Sequence, residues 1–320
     1  MLSFSIVIPV YNVEDYILKT LLSIERQSYK NFSLIIVDDG STDNTLELVG
    51  SFLRQSSLDF SIIENKANQG LRYSRIKGLG RAHGDYVIQF DGDDILFPHA
   101  LERLNEILSA HDYDFIAYER IDFSGKIENS PPKKLADTVC IYESILFLPL
   151  HEVNPVSIWR YAVKKDLVDK VYSQQKVKIN FGEDMIFIAH LFLEARQLAF
   201  YNEPLMFYRK RSKSMTDYFV FSKDYLMDLV VSHKYVFDLW GGNEVFPANY
   251  YSFQLLPFRE RILSCLKSQF SSDVFEKAIS CINQAYVNYD DSAVRKELSR
   301  LFPLHRFRNI YQPNIIKIKV

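Results

Sequence analysis

The sequence predicts an α/β protein, an open and mostly parallel sheet flanked by helices, with a helical extension at its C-terminal end. Three observations carry this expectation. Over residues 1–120, short β-branched runs alternate with amphipathic segments of helical period, the rhythm of parallel strands joined by right-handed crossovers. Acidic clusters follow the second and fourth runs, and in such sheets ligands bind beyond the carboxyl ends of the strands. From about residue 217 onward the chain is helix-like and rich in Phe and Tyr.

The elements follow in order. Phe4 to Val10 is a short apolar run of the kind buried in a parallel sheet. Asn12 can cap a helix whose Val13, Ile17, Leu21 and Ile24 fall on one stripe. A second strand, Ser33 to Val37, runs into Asp38, Asp39, Gly40 and Ser41, and a helix follows with Leu46, Val49 and Leu53 inward. Phe60 to Ile63 reads as a third strand, Gly70 to Ala82 as a third amphipathic segment, and Tyr86 to Phe90 as a fourth strand ending in Asp91, Gly92, Asp93 and Asp94. Pro98 sits at a favoured first-turn position for a helix with Leu101, Leu104 and Leu108 inward. Residues 122–138, with Pro131 and Pro132, read as a polar connector, and helical periodicity resumes near Ile141. A longer apolar helix covers about Asp184 to Glu194. Residues 198–208 read as a strand pair turning at Asn202, Glu203 and Pro204.

Two domains fit the length of 320 residues: residues 1–215, themselves split at about 120 where the strand–helix rhythm ends, and the helical region 216–320. Apolar residues make up 48% and charged residues 24%, enough for a proper core and too apolar for disorder. With 38 Lys and Arg against 40 Asp and Glu there is no global basic field for nucleic acid. Cys140, Cys265 and Cys281 lie too far apart for a zinc site or a disulfide scaffold and fit a reducing compartment. The N-terminus lacks the cationic start of a signal peptide, and no window reaches the ~18 apolar residues of a membrane span. A cytoplasmic protein, soluble or peripheral on the inner face of the membrane, is the expectation.

On an extended chain Asp91 and Asp93 point to one side, and Gly92 would let a ligand approach the backbone. Paired carboxylates at a strand end suit a hard divalent cation such as Mg²⁺ or Mn²⁺, and they also suit a solvated acidic turn. An EF-hand loop is excluded, because Ile95 and Leu96 occupy positions that need an oxygen ligand and a glycine.

Context favours the cation. Four motifs occur in order: Ser5 to Asn12 (SIVIPVYN), Val37 to Asp43 (VDDGSTD), Asn68 to Gly70 (NQG) with Arg75, and Phe90 to Asp94 (FDGDD). Together they resemble the inverting glycosyltransferases of family 2, which have the GT-A fold, over essentially all of residues 1–120. The resemblance implies roles residue by residue. Pro9 and Tyr11 stand where the nucleotide base packs, and a Tyr ring offers a flat face. Asp39 matches the carboxylate that accepts the uracil N3–H. Asp38 has a plainer reading as a charge at a helix N-terminus. Arg75 falls near the nucleotide diphosphate, although the family's Ala-Arg-Asn is Ser74, Arg75 and Ile76 here. Asp91 lies near ribose and metal, and Asp93 is the direct metal ligand.

Phe181 to Ile186 (FGEDMI) matches the family's Glu-Asp motif, which makes Asp184 the general base and Glu183 its neighbour. Read as residues alone, the two are equally a charge pair at a helix N-terminus; adjacent carboxylates also repel, which tunes one for proton abstraction. Tyr208, Arg209 and Arg211 resemble a segment that could close over a diphosphate or acceptor as a lid. Trp159 and Arg160 stand where many members line the acceptor cleft. After Glu297 the tail carries Arg300, Arg306, Arg308, Lys317 and Lys319 among Phe302, Phe307 and Tyr311, a composition that suits an anionic membrane surface or a packed tail. The aromatic-rich C-terminal helices could form a homodimer face.

The resemblance thus implies a Mn²⁺- or Mg²⁺-dependent enzyme. It would move a hexose or N-acetylhexosamine from a UDP-sugar to a hydroxyl of a lipid-linked saccharide acceptor, in the synthesis of bacterial capsule, exopolysaccharide or lipopolysaccharide. Two alternatives stand beside this reading. A sugar-phosphate nucleotidyltransferase needs a Gly-rich loop after the first strand, where Pro9, Val10, Tyr11 and Asn12 stand instead. A non-catalytic scaffold that binds nucleotide-sugar is the second.

Overall fold

The computed structural model describes residues 1–125, 138–142, 157–175, 179, 182–211, 232, 235, 236, 239 and 316–319. Its elements run β1 (Phe4–Val10), α1 (Ile17–Glu25), β2 (Phe32–Asp38), α2 (Thr45–Leu53), β3 (Asp59–Glu64), α3 (Leu71–Leu79), β4 (Tyr86–Gln89), β5 (Ile95–Leu96) and α4 (Ala100–Ala110). They continue with β6 (Phe115–Phe123), β7 (Thr138–Tyr142), β8 (Tyr161–Lys164), α5 (Lys165–Gln174), α6 (Glu183–Glu194), β9 (Leu198–Arg209) and β10 (Ile316–Lys319).

Among the described residues the strands form one sheet in the order β10-β7-β9-β6-β8-β4-β1-β2-β3, with β5 paired to β9. The first half is parallel as the sequence predicts: β3, β2, β1 and β4 all run one way. Beyond β4 the sheet becomes mixed, because β8 lies antiparallel between β4 and β6, and β7 and β5 pair antiparallel with β9. All residues of β1 and β2 are buried, which explains their unbroken apolar runs. Successive residues feed opposite faces. Ile6, Ile8, Leu34 and Ile36 pack with Ile17, Leu21, Leu101 and Leu104 of α1 and α4. Val7, Ile35, Val37 and Val87 pack on the other face with Leu79, Val168 and Ile188 of α3, α5 and α6.

Several local expectations are corrected. Asn12 is not a helix cap: it adopts φ 49°, its Oδ1 accepts the Thr42 N–H at 2.8 Å, and α1 begins only at Ile17. Asn12 instead ties the loop after β1 to the loop after β2. Pro98 precedes α4 by two residues. The region of Ile141 is strand β7, paired with β9. Residues 198–208 are no hairpin but part of one long strand. Pairing with β6 jumps from Tyr118↔Tyr201 to Glu119↔Pro204 to Arg120↔Met206, so Asn202, Glu203 and Pro204 mark a bulge where the sequence suggested a turn.

Of the C-terminal region 216–320, residues 232, 235, 236 and 239 are helical, and Tyr235 and Leu239 pack against the α5–α6 side of the core. Residues 316–319, Lys317 and Lys319 among them, are strand rather than helix. The rest of that helical region lies outside the described residues, as do the connector 126–137 and the tail residues Arg300, Arg306, Arg308, Phe302, Phe307 and Tyr311. Among the described residues no helix is long and apolar enough to cross a membrane.

One glycine sets the height of α3 above the sheet. A Cβ on Gly78 would lie 2.5 Å from Val7 Cγ1 and 2.9 Å from Val37 Cγ2. This close approach sinks the neighbouring turn, so Ser74 and Arg75 face inward and are buried. Gly78→Ala should therefore destabilise the fold by about 1–3 kcal/mol through overpacking. Urea denaturation checks this; an unchanged midpoint would show that α3 can shift freely.

Candidate active site

The carboxyl ends of β1, β2 and β4 open onto one region, and the buried guanidinium of Arg75 stands beside it. Arg75 is only 2% exposed. Its Nη1 donates to Glu183 Oε1 at 2.8 Å and also to Asp184 Oδ1, while Nη2 lies 3.3 Å from Asp91 Oδ1. Helix α3 thus joins the end of β4 to the first turn of α6, residues 108 and 109 positions apart in sequence from Arg75. Gly182, at φ 79°, forms the left-handed corner that turns the chain into α6 and sets Glu183 and Asp184 in its first turn. The resemblance implied that Arg75 lies near the nucleotide diphosphate; here its two terminal nitrogens bond carboxylates, and its buried Nε has no hydrogen-bond partner among the described residues. Tyr172 completes the surround, its hydroxyl donating to Gln89 Oε1 at 3.0 Å.

The turn after β4 is built from the inside. Gly92 does not open a path for a ligand: a Cβ there would meet Val10 Cγ1 at 2.9 Å, so its bareness serves packing against β1. Thr20 Oγ1 donates to the carbonyls of Gly92 and Asp94. Asp94 is fully buried; Oδ1 accepts the backbone N–H of Arg209 at 2.8 Å and Oδ2 has no partner. Arg209 Nε donates to the Asp93 carbonyl at 2.8 Å, and its guanidinium lies over the rings of Phe123 and Tyr16. Tyr208 and Arg209 are therefore the end of β9, paired with Asp122 and Phe123, and not a free lid. Arg211, just past the strand, places Nε 2.5 Å from Asp93 Oδ2. Trp159 stacks on Tyr208 with ring centroids 4.7 Å apart, and Arg120 lies over both rings. Arg160 is buried and ion-paired with Glu119.

At the end of β2, Asp39 Oδ1 accepts from Asn65 Nδ2 at 2.8 Å and the Gln69 N–H at 2.9 Å, and Oδ2 accepts the Gly70 N–H at 2.9 Å. A carboxylate has about four acceptor sites, so one remains on Oδ2. Asp38 Oδ2 accepts the N–H groups of Gly40 and Ser41, and its buried Oδ1 is unpartnered. Tyr11 is 44% exposed at the end of β1, whereas Pro9 is buried within the strand. Ladder pairing of β1 with β4 stops at Val7↔Gln89, so the missing N–H of Pro9 breaks no bond on that side. Sequence reasoning missed Asp94, Tyr16 and Tyr172. Asp94 alone carried a signal, as the last acid of the cluster that follows β4.

Five carboxylates (Asp91, Asp93, Asp94, Glu183, Asp184) face three guanidiniums (Arg75, Arg209, Arg211). The excess, together with burial, raises the pKa values of Glu183, Asp91 and Asp94. Burial, reinforced by Asp184 and opposed by Arg75, pushes Glu183 up to about 8. Burial, opposed by Arg75 and reinforced by Asp93 and Asp184, pushes Asp91 up to about 6. Burial and the charges of Asp91 and Asp93 raise Asp94 as well. An all-oxygen set with unneutralised charge fits a hard divalent cation. Among the described residues no three His, Cys, Asp or Glu side chains form a ready cage. Mg²⁺-type sites commonly use only one or two carboxylates and complete the shell from phosphate and water.

A family model described as glycosyl transferase family 2 matches residues 5–172, just over half of the chain. The chain is 26% identical over 230 residues to the poly(ribitol-phosphate) beta-N-acetylglucosaminyltransferase TarS of Staphylococcus aureus, covering 70% of this chain and 39% of that protein. The chain thus spans well under half the length of that relative. Its fold is similar to the crystal structure of S. aureus TarS 1-349 in complex with UDP, at TM-score 0.62 and 18% identity, covering 88% of this chain and 80% of the other. It is also similar to the mannosyltransferase PcManGT from Pyrobaculum calidifontis in complex with GDP-Man and Mn²⁺, at TM-score 0.55 and 14% identity, covering 98% and 88%. The fold is GT-A, as the four motifs implied.

Glu183 gives a stability signature. A carboxyl raised from 4.5 to about 8 binds a proton in the folded state that the unfolded chain has released. Its contribution is full below the unfolded value and is lost as pH rises through about 8. Glu183→Gln should remove up to about 5 kcal/mol of this pH dependence, at about 1.4 kcal/mol per unit. Thermal melts from pH 5 to 8.5 should fall more steeply for the natural protein than for the variant; parallel profiles would contradict the assignment.

Proposed function

Because the chain belongs to glycosyl transferase family 2, we propose that it moves a sugar from a UDP-sugar to a hydroxyl of a saccharide or polyol acceptor, with inversion. The observation that carries this reading is the meeting of Asp91, Glu183 and Asp184 on one buried guanidinium. It supports a reading in which Asp184 of α6 is the base beside Asp91, in the turn after β4.

The uracil ring packs against the exposed face of Tyr11. The remaining acceptor site on Asp39 takes the N3–H, an arrangement held by Asn65 and the Gln69 and Gly70 N–H groups. Asp93, with Asp91, would hold Mn²⁺ or Mg²⁺, whose charge offsets that of the departing diphosphate. Asp184 Oδ1 is fixed by Arg75, which leaves Oδ2 to take the proton of the acceptor hydroxyl as that oxygen attacks the anomeric carbon from the face opposite the nucleotide. The bond to the diphosphate oxygen breaks as the new glycosidic bond forms, so no covalent enzyme intermediate is needed. Arg75 acts here as the positioning residue for the carboxylates. Glu183, buried beside it, steadies the same guanidinium.

TarS is named for N-acetylglucosamine transfer onto poly(ribitol-phosphate), which makes UDP-N-acetylglucosamine the first donor to test, and a bacterial surface polymer the first class of acceptor. A lipid-linked acceptor at the inner face of the membrane is the corresponding expectation for where the protein works. Asp184→Asn should leave UDP affinity within about twofold while donor consumption falls at least about a hundredfold. Asp93→Asn should weaken Mn²⁺-dependent UDP binding about tenfold or more. Calorimetry and coupled UDP-release assays measure the two. Equal loss of UDP affinity in both variants would overturn the division of roles, and UDP binding without donor consumption under any acceptor would favour a scaffold.

A further inference from the structure

Arg211 stands apart from the other cations of the site in how it is held. Arg209 is fixed by directed bonds: its backbone N–H to buried Asp94 and its Nε to the Asp93 carbonyl. Pairing of this segment with β6 ends at the Lys210 N–H, which donates to the Phe123 carbonyl at 2.8 Å. Arg211 is the next residue, one step beyond the last backbone tether of this segment among the described residues. Its Nε lies 2.5 Å from Asp93 Oδ2 yet lacks hydrogen-bond alignment, so charge rather than geometry holds it there. Its guanidinium also rests over the Tyr16 ring, 5.2 Å from the centroid. The two side chains are 25% and 14% exposed, at the rim of the site, while Arg211 Nε itself is buried against Asp93.

We propose that Arg211 is a built-in counter-cation for Asp93: it occupies the carboxylate that a divalent cation would take, and it leaves when the cation enters. The inference rests on the reading of Asp93 as a cation ligand given above. The excess of carboxylates explains the need. Without a cation, Asp93 would add an uncompensated charge beside Asp91 and buried Asp94, and a tethered arginine supplies the compensation from within the chain. The pinned end of β9 keeps this arginine within reach, and the Tyr16 ring gives its guanidinium a second resting contact. Cation entry is thereby a competition, so the site stays closed to Asp93 at low cation concentration. Arg211, once displaced, is a free positive charge at the rim of the donor site.

The test is the affinity for Mn²⁺ alone, read from the electron paramagnetic resonance signal of the free ion, without nucleotide. Arg211→Gln should bind Mn²⁺ about three- to fivefold more tightly than the natural protein, the upper range of the effect of removing one partly exposed ion pair. Arg211→Lys, which keeps a competing charge, should stay within about twofold. The gain should vanish when Asp93→Asn is added to Arg211→Gln. Unchanged or weaker Mn²⁺ binding in Arg211→Gln, or a gain that survives Asp93→Asn, would overturn the proposal. Absence of Mn²⁺ binding in every variant would also overturn it. UDP calorimetry on the same samples then separates the outcomes: UDP binding retained sinks this inference alone, whereas UDP binding absent sinks the donor-site reading with it.

Discussion

The site depends on one buried guanidinium. Arg75 is the point where the N-terminal parallel half and the later α6 helix meet, and it does so through charge-assisted hydrogen bonds to Glu183 and Asp184 and an ion pair with Asp91. A buried ion cluster of this kind is weak evidence for stability, since desolvation offsets most of the attraction. Its value is directional. A planar fork with fixed donor positions holds two carboxylates of α6 at set orientations to the end of β4, which a flexible ammonium would not. Everything that fixes Arg75 therefore fixes the site: Gly78 lets α3 lie close on Val7 and Val37, and Gly182 starts α6 at the right place.

The second constraint is charge. Three arginines cannot neutralise five carboxylates, and the molecule handles the remainder in three ways. Glu183 is held toward its protonated form by burial and by Asp184. Asp94 is buried and raised, with one oxygen spent on anchoring β9. Asp93, at the rim, is paired with Arg211, the first residue past β9. A nucleoside diphosphate adds further negative charge, so donor binding and cation binding are expected to be linked.

Much of this was legible in the residues. The β1, β2 and β4 runs, the α4 and α6 stripes, and the two acidic strand ends followed from periodicity and from burial on both faces. What was not legible has physical reasons. Asn12 carries a capping side chain, but its left-handed backbone spends that side chain on Thr42 across the interlocked loops. Asn202 to Pro204 carries turn chemistry, yet the partner strand β6 imposes a bulge. Gly92 looks like a ligand cradle until Val10 is seen to fill the space. The resemblance put Arg75 near a diphosphate, and two of its three carboxylate partners, Glu183 and Asp184, lie more than a hundred positions away. Long-range electrostatics of this kind leave no local signal. Tyr16, which carries Arg209 and Arg211 on its ring, is similarly silent in sequence.

The most direct test of the donor site is calorimetric titration of UDP against CDP and GDP, in Mn²⁺ and again after chelation with EDTA. A carboxylate at Asp39 with one free acceptor site favours a base that offers an N3–H, which uracil has and cytosine lacks. The account predicts saturable UDP binding that is at least about tenfold tighter than CDP and weakens sharply when the cation is removed. Preference for GDP, or equal binding of UDP and CDP, would contradict the reading of Asp39. Binding of none of the three would contradict the donor site itself.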